Sequence, residues 1–222
     1  MPAEPLPPDR HRIVPATILG QLRPACSMLA VLAVITGVFY PLGMTLVARS
    51  LFPRESSGSL LRAADGTVIG SLLISQPFTG PGWFHGRPSA TGAIPSDPTA
   101  SGGSNLGPTN PALAGSVAER VAAVRRDEPS YAGAIPVDLV TASASGLDPH
   151  ISPRAALLQV PRVAAARGLP VEEVQGLVTA RIEPPLLGIL GRPRVNVLAL
   201  NLALDVLATG GRGDAGGSPL PP

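Results

Sequence analysis

The chain has 222 residues and a formal net charge of only +2, and all 17 of its basic residues are arginine. A nucleic-acid-binding protein has a stronger electrostatic footprint, so nucleic acid is not expected as a partner. The absence of lysine excludes Walker A phosphate loops, Schiff-base enzymes and Ser-x-x-Lys nucleophiles, because each of them needs that residue.

Residues 1–23 contain five prolines and little apolar periodicity, which is typical of a disordered tail. The next 25 residues, 24–48, carry no charge. A helix of that length reaches ~37 Å at ~1.5 Å per residue, which is enough for a hydrocarbon core of ~30 Å. We therefore predict a transmembrane helix over residues 24–51 that holds the chain in a lipid bilayer.

Two other interpretations of the apolar run are weaker. A buried core helix usually has a polar stripe at helical spacing, and none is visible. A cleaved signal peptide has a shorter apolar region and a small-residue cleavage site, which the bulky flank 46–51 does not provide. Arg10, Arg12 and Arg23 precede the run, and positive charge at this end favours a cytoplasmic N-terminus with the main domain outside.

Ala33 and Gly37 place two small residues one helical turn apart within the apolar run. Small residues let a second helix approach closely, so the predicted span is a candidate docking helix for a larger membrane complex. The single Cys26 lies in the same run and forms no intrachain disulfide.

The remaining chain, residues 52–209, is predicted to form one extracytoplasmic α+β domain with a small sheet and about three helices. Two short β-prone runs flank Asp65-Gly66, a dipeptide that favours a two-residue hairpin turn. Residues 76–110 are rich in glycine and proline, so a long surface loop is expected there. Residues 210–222 are predicted to be a second disordered tail.

Three helix starts are visible in the domain. Asn110-Pro111 and Ser152-Pro153 each place an N-cap residue before a proline at the first helical position. Leu169-Pro170 begins the third predicted helix. Residues 135–141 have the β-branched character of a buried strand. Residues 194–208 are predicted to begin as a strand and to end as a helix.

The first candidate site is an aromatic stretch in the long loop. Trp83, Phe84, His85 and Arg87 are candidate partner-facing residues, because Trp and Arg are enriched at interaction hot spots. The alternative is that the aromatic side chains cap the core beneath the loop. Neither His85 nor His150 lies in a pattern typical of a catalytic triad or a zinc site, so no catalytic residue and no metal ligand is predicted.

Two polar loops are further candidate sites for a ligand or a partner. The first is a glycine-rich run whose backbone N–H groups could cradle an anion or form an ordinary turn. The second has hydroxyl and carboxylate groups that could bind a ligand or a hydrated cation, or stitch their own turns. The candidate residues are Ser101, Gly102, Gly103 and Asn105 in the first loop and Ser143, Ser145 and Asp148 in the second.

Five sequence strings carry a resemblance to a known family: FHGRPSATG (84–92), ASGGSNLGPTNP (100–111), TASASGLDPHISP (141–153), QVPRVAAARGL (159–169) and VNVLALNLALD (195–205). Together with the early apolar run, they closely resemble the C subunits of the bacterial Kdp-type potassium-transporting ATPases. The resemblance covers about residues 28–207 in the same order. One departure lies at Ser96-Asp97-Pro98, where the family usually has Tyr-Asn-Pro.

The resemblance implies a non-catalytic accessory subunit in the bacterial inner (plasma) membrane. Its implied partners are a channel-like potassium-translocating subunit and a P-type ATPase subunit. Family members are regarded as catalytic chaperones that raise the affinity of the ATPase subunit for ATP and are needed for assembly and potassium-stimulated ATP hydrolysis. No cofactor is expected on this chain. Potassium is the ion that the complex transports, and ATP is expected to bind to the ATPase subunit.

Two alternatives remain open. One is direct nucleotide binding by residues 101–105 in a cytoplasmic domain. The other is a membrane-anchored hydrolase that uses His85 or His150. The positive N-terminal flank favours an external domain, which cannot touch ATP in the cytoplasm.

Overall fold

The computed structural model describes residues 15–63 and 65–210. The chain divides into two units, one that ends at Ser57 and one that begins at Gly58. The disordered tails predicted from the sequence fall outside the described residues over positions 1–14 and 211–222.

The first unit is one long apolar helix with a local irregularity. Helix α1 is Pro15–Val34, a π-helical turn follows at Ile35–Phe39, and helix α2 is Tyr40–Leu51. The stretch Leu19–Leu51 is long and apolar enough to cross a membrane. The predicted single apolar helix at the N-terminal end is therefore confirmed.

The helix starts earlier than the sequence predicts. A disordered tail is expected up to residue 23, but α1 already begins at Pro15. Proline suits the first helical position because its missing N–H would have no partner there. No other proline occurs between Pro15 and Pro24, so nothing interrupts the helix over residues 16–23.

Pro41 explains the π-helical turn. A proline inside a helix offers no N–H to the carbonyl four residues earlier, and its ring clashes with that carbonyl. The wider turn over Ile35–Phe39 accommodates the ring, and Tyr40 N–H donates to Ile35 O across it. The helix therefore continues past the proline instead of ending there.

The second unit is an α+β domain, as predicted. Its described residues form helices α3 (Pro111–Asp127), α4 (Pro153–Arg167), α5 (Val171–Ala180) and α6 (Val197–Gly210). The strands are β1 (Leu60–Arg62), β2 (Val68–Ser71), β3 (His150–Ile151), β4 (Ile182–Glu183) and β5 (Arg194–Asn196). Strands β1 and β2 pair as an antiparallel hairpin, and a second antiparallel sheet has the order β3–β5–β4.

The hairpin forms around Asp65-Gly66, but its turn is longer than predicted. Ala63 N–H donates to Thr67 O at 2.8 Å, so the closing pair of the hairpin lies outside the Asp65-Gly66 dipeptide. Gly66 has a φ of +84°, whereas the Asp65 carboxylate accepts from Thr67 N–H at 2.9 Å. An Asx-type turn with one left-handed glycine thus replaces the predicted two-residue turn.

Both helix starts with proline at the first position are confirmed. Asn110 Oδ1 accepts from Ala112 N–H at 2.9 Å, and Ser152 Oγ accepts from Ala155 N–H at 3.2 Å. Each side chain satisfies one donor of the first turn that has no partner within the helix. Helix α4 ends at Gly168 with a φ of +67°, a conformation that favours glycine.

The strand predicted over residues 135–141 is wrong. The segment instead contains a 3-10 turn at Val137–Leu139. The Asp138 carboxylate accepts from Ser152 N–H at 2.6 Å, and this bond ties the turn to the start of α4. Leu139 is buried, so the apolar pattern of the segment reflects burial and not an extended backbone.

The core of the domain lies among α4, α5, α6 and strand β5. Helix α4 packs against α5, α5 packs against α6, and both α4 and α6 contact β5. Burial of these apolar side chains is the main favourable term in the stability of the domain. The most deeply buried large side chains are Phe84, Ile151, Val163, Val174, Val178, Val195, Leu200, Asn201 and Leu204.

Asn201 is the polar member of this core. Its Nδ2 donates to Phe84 O at 2.9 Å, and its Oδ1 accepts from Phe84 N–H at 2.9 Å. The side chain is fully buried, so it satisfies both backbone groups of Phe84 away from water. Through this residue α6 holds the long loop at Phe84.

Asn201→Ala is expected to destabilise the domain by about 2–4 kcal/mol, because both backbone groups of Phe84 lose their partner in a buried place. Denaturant unfolding of the full chain in detergent, followed by the fluorescence of the single Trp83, measures the change. Gln175→Ala is the matched control, since its side chain is exposed on α5 and a change below about 0.5 kcal/mol is expected. Equal stability of the two variants would contradict the role of Asn201.

Candidate functional site

Polar side chains of α4 fix a short segment of the long loop, residues 80–85, which we call the pinned loop. Gln159 Oε1 accepts from His85 N–H at 2.7 Å, and Gln159 Nε2 donates to His85 O at 3.1 Å. Arg162 Nη1 donates to Trp83 O at 3.0 Å. Since these contacts join a helix to the backbone of the loop, the loop takes one defined path across the core.

Arg162 is itself fixed by a buried ion pair. Its Nε donates to the Glu128 carboxylate at 2.7 Å, and Glu128 is only 4% exposed. Burial raises the pKa of Glu128, and the hydrogen bond from Arg162 opposes that rise. A guanidinium has five N–H donors in a planar fork, so it can bind the carboxylate and several loop carbonyls at once.

Trp83 is half-buried between Phe78 and Arg167. Its ring centroid lies 5.5 Å from that of Phe78, and Arg167 Cζ lies 4.2 Å from the centroid of the Trp83 ring. Arg167 also donates to Gly82 O at 2.7 Å and to Asp205 Oδ1 at 2.8 Å. Trp83 is thus held by a cation–π contact and keeps part of its surface exposed.

Phe84 does not face a partner, which corrects the prediction that it does. Its side chain is fully buried in the core, as expected for the alternative of an aromatic cap beneath a loop. The neighbouring His85 is half-buried, and its Nε2 donates to Gly80 O at 2.9 Å because a carbonyl can only accept. Burial lowers the pKa of His85, and the hydrogen bond to Gly80 opposes this. His85 is therefore neutral near pH 7.

The two polar loops that the sequence presents as separate candidates meet in space. Gly102 N–H donates to Ser145 O at 2.9 Å, and Ser101 Oγ donates to the same carbonyl at 3.2 Å. A Cβ on Gly103 would lie 2.8 Å from Ala144 O, so the two backbones approach at a distance that glycine permits. Together with residues 87–91, we call residues 101–103 and 143–148 the loop platform.

A third stretch completes the loop platform. Ser89 Oγ donates to Gly146 O at 2.8 Å, and Ser143 N–H donates to Pro88 O at 3.2 Å. Gly146 has a φ of +69°, and a Cβ there would lie 2.7 Å from Gly102 O. Segments that are far apart in the chain thus form one hydrogen-bonded surface.

Arg87 and Asp148 form an ion pair at the edge of the loop platform. Arg87 Nη1 donates to Asp148 Oδ2 at 3.0 Å, and Arg87 Nη2 donates to Ala142 O at 3.3 Å. Asp148 Oδ1 accepts from His150 N–H at 3.0 Å. Burial raises the pKa of Asp148, but the hydrogen bonds from His150 and Arg87 outweigh it and lower the pKa to about 2.

A shallow groove of about 430 Å³ adjoins this ion pair. His150, which lines the groove, has its Nε2 at 3.8 Å from Glu183 Oε2, and that carboxylate accepts from Arg194 Nε at 2.8 Å. Among the residues that the structure describes, no three His, Cys, Asp or Glu side chains are grouped to hold a metal ion. Arg87 pairs with Asp148 in the groove, whereas Arg192, which also lines it, forms no ion pair with a carboxylate in the described part of the chain.

The remaining predicted site residues differ in what they can contact. Gly102 N–H is occupied by Ser145 O, so it cannot bind an anion in this conformation. Asn105 is exposed, with a φ of +51°. Ser143 is only 3% exposed, which removes it from the accessible surface. Ser145 Oγ accepts from Leu147 N–H at 3.1 Å and so stitches its own turn.

Sequence reasoning missed the residues that hold the pinned loop. Gln159, Arg162 and Asn201 lie within α4 and α6, and Gln159 and Asn201 are buried among apolar neighbours. The available signal is a polar side chain on the apolar face of a predicted helix, because such a group needs a hydrogen-bond partner when it is buried.

The two predicted helix-docking residues lie on the exposed surface of the first unit. Ala33 is near the end of α1, and Gly37 lies within the π-helical turn. No atom lies within 4 Å of a Cβ built on Gly37, so nothing inside the chain requires a glycine at this position.

Asp148→Asn is expected to destabilise the full chain in detergent by about 1 kcal/mol near neutral pH, after allowance for the partial exposure of the ion pair. The folded pKa of about 2 lies below the ordinary value of 3.8. The carboxylate therefore stabilises the fold above about pH 4, and this contribution is lost as the pH falls from about 4 to about 2. Denaturant unfolding at several pH values across this range measures the difference.

Glu119→Gln is the control for this measurement, because it changes an exposed carboxylate on α3. A difference between Asp148→Asn and the parent chain that stays constant from neutral pH down to about pH 2 would contradict the assigned ion pair.

A sequence model of the family described as "K+-transporting ATPase, c chain" matches residues 22–206. This range contains most of the apolar helix and all of the loop platform. The resemblance stated from the five sequence strings is therefore confirmed.

Curated relatives named "Potassium-transporting ATPase KdpC subunit" agree with this match. The relative from Polaromonas naphthalenivorans (strain CJ2) is 59% identical over 84% of this chain and 94% of its own length. The relative from Variovorax paradoxus (strain S110) is 57% identical over 84% of this chain and 96% of its own length. The relative from Geobacter sulfurreducens is 51% identical over 85% of this chain and 99% of its own length. Because both the family model and these relatives cover most of the sequence, the chain belongs to the family of C chains of the K+-transporting ATPase.

Proposed function

We propose that this chain is a non-catalytic, single-pass accessory subunit of an ATP-driven potassium importer. It is needed for assembly of the complex and for potassium-stimulated ATP hydrolysis. Its partners are a channel-like potassium-translocating subunit and a P-type ATPase subunit. The proposal rests on the family match over residues 22–206, because this range includes most of the apolar helix and the whole loop platform.

The apolar helix anchors the chain in the bacterial inner membrane. Leu19–Leu51 supplies the length, and Arg10, Arg12 and Arg23 supply positive charge at its N-terminal end. Positive charge is retained on the cytoplasmic side, so the N-terminus is cytoplasmic and the second unit is extracytoplasmic. The exposed Ala33 and Gly37 let a partner helix approach closely within the bilayer.

The loop platform is the surface that we assign to a partner subunit. Hydrogen bonds between its three stretches already order the backbone, so docking loses little conformational entropy. Arg87, Asp148 and the exposed Ser101 and Ser145 provide polar contacts on this surface. Trp83 lies on the neighbouring pinned loop and has the residue type most enriched at interaction hot spots.

Neither alternative function gains support from the candidate residues. A cytoplasmic nucleotide site at residues 101–105 would need free backbone N–H groups, and Gly102 N–H is bonded to Ser145 O. A hydrolase would need a nucleophile within reach of an imidazole, and the described ring contacts of His85 and His150 are to Gly80 O and to the Asp148 and Glu183 carboxylates. Any effect on ATP affinity therefore acts through the ATPase subunit.

Gly146→Ala tests the loop platform. The added Cβ meets Gly102 O at 2.7 Å and the left-handed backbone disfavours any side chain, so the platform is destabilised by about 2 kcal/mol. In the complex purified with its channel and ATPase subunits, potassium-stimulated ATP hydrolysis is expected to fall towards the rate of a complex prepared without this chain.

Gly115→Ala is the matched control, because no atom lies within 4 Å of a Cβ built on Gly115 in α3. Its ATP hydrolysis should equal that of the parent complex. If leaving out the whole chain changes neither complex stability nor potassium-stimulated hydrolysis, the proposed function is wrong. If only Gly146→Ala has no effect, the assignment of the platform is wrong and the function stands.

Reporter fusions after Pro222 test the orientation. Alkaline phosphatase, which is active only outside the cytoplasm, is expected to be active at this position, since positive charge precedes the apolar helix. The same reporter placed before Met1 is the control and should be inactive. The opposite pattern would place the domain in the cytoplasm and favour the nucleotide-binding alternative.

A further inference from the structure

An apolar hairpin joins β4 to β5, and we call its residues 185–190 the aliphatic hairpin. Leu186 N–H donates to Leu190 O, and Leu190 N–H donates to Leu186 O, both at 2.9 Å. Leu187 and Gly188 have φ values of +54° and +76°, and this left-handed pair makes a tight turn. The backbone of the hairpin is therefore ordered by its own hydrogen bonds.

The aliphatic hairpin exposes side chains that a folded domain usually covers. The exposed fractions are 69% for Leu186, 82% for Leu187, 81% for Ile189 and 57% for Leu190. Single exposed apolar side chains are ordinary on protein surfaces, but four on one hairpin form a patch. Such a patch is typical of a surface that contacts another molecule or a membrane.

The base of the aliphatic hairpin is positively charged. Arg181 precedes β4 and Arg192 follows the hairpin, and neither forms an ion pair with any carboxylate in the described part of the chain. Arg194 is compensated by Glu183 at 2.8 Å. Two uncompensated guanidinium groups thus lie beside an apolar tip in the sequence.

We propose that the aliphatic hairpin inserts into the headgroup region of a bilayer that contains anionic lipids. Its aliphatic side chains leave water, while Arg181 and Arg192 bind lipid phosphate groups. Charge complementarity favours lipid over a protein partner, because two guanidinium groups without an ion-pair partner in the described part of the chain match the negative charge of the headgroups. The inference rests on the proposed membrane anchoring by Leu19–Leu51.

A short connection joins the anchor to the domain. Residues 52–57 separate the end of α2 from the start of the domain. Such a segment spans at most about 20 Å when fully extended. Because the anchor already holds the domain at the bilayer, the effective concentration of the hairpin at the surface is high. A small apolar tip is then sufficient for insertion.

A fluorophore at the tip of the hairpin tests the insertion. The full chain with Cys26→Ser and Leu187→Cys is labelled with a nitrobenzoxadiazole thiol reagent and reconstituted into vesicles of phosphatidylethanolamine and phosphatidylglycerol. Spin-labelled acyl chains in these vesicles are expected to quench the label, and its emission is expected to shift to shorter wavelength. The same label at Glu119→Cys, on the exposed side of α3, is the control and should stay unquenched.

Variants of the labelled chain separate the apolar and the charged contributions. Leu186→Ser combined with Ile189→Ser should lower the ratio of inserted to exposed hairpin roughly tenfold or more. Arg192→Gln should lower it about fivefold in the anionic vesicles and leave it unchanged in phosphatidylcholine vesicles. All of these side chains are exposed, so denaturant unfolding followed by Trp83 fluorescence should match the parent chain.

Flotation of the chain with the vesicles reports anchoring separately from insertion. A chain that floats while its labelled tip stays unquenched overturns the hairpin proposal and leaves the proposed function standing. A tip that is protected only in the assembled ATPase also overturns it and assigns the hairpin to another subunit. A chain that does not float overturns the anchoring and the hairpin proposal together.

Discussion

Backbone groups of an irregular segment that crosses an apolar core need hydrogen-bond partners, since each unpaired buried group is destabilising by about 1–3 kcal/mol. The pinned loop meets this requirement through side chains of two helices. Asn201, Gln159 and Arg162 bind the backbone of residues 83–85. The path of the loop is therefore set by helix packing, although the loop has no regular structure of its own.

The pinned loop leads directly into the first stretch of the loop platform. Once Phe84 is fixed in the core, Arg87 lies within reach of Asp148, and Ser89 reaches Gly146. The buried polar contacts and the exposed surface are thus coupled through a few residues of chain. We therefore expect a change at Asn201 to affect the surface assigned to a partner, even though its side chain has no exposure.

Local chemistry made much of the fold predictable from the sequence. Helix starts at Asn110 and Ser152 depend on a cap and a proline that are neighbours in the chain, and the apolar run before Arg49 depends on composition alone. The same reasoning predicted a strand over residues 135–141, and this was wrong, because the hydrogen bond between the Asp138 side chain and the start of α4 overrides the β propensity of the segment.

The candidate site was less predictable because its contacts join distant segments. Both polar loops are visible as motifs, but nothing in their spacing shows that Gly102 and Ser145 meet. Trp83 and Phe84 are adjacent aromatic residues with opposite environments, one half-buried and one fully buried. Which of them faces the core follows from the pairing of Phe84 with Asn201, a contact made only in the folded domain.

The π-helical turn before Pro41 has a consequence for any helix that lies alongside the first unit. A regular α-helix advances by 100° per residue, so one residue added to a turn rotates everything that follows by about that angle. The residues of α2 that lie on the same face as Ala33 are therefore shifted by one position in the sequence, compared with a helix that lacks the π-helical turn. A second helix that packs along this face from Ala33 towards Thr45 must bend around the π-helical turn or change its packing register there.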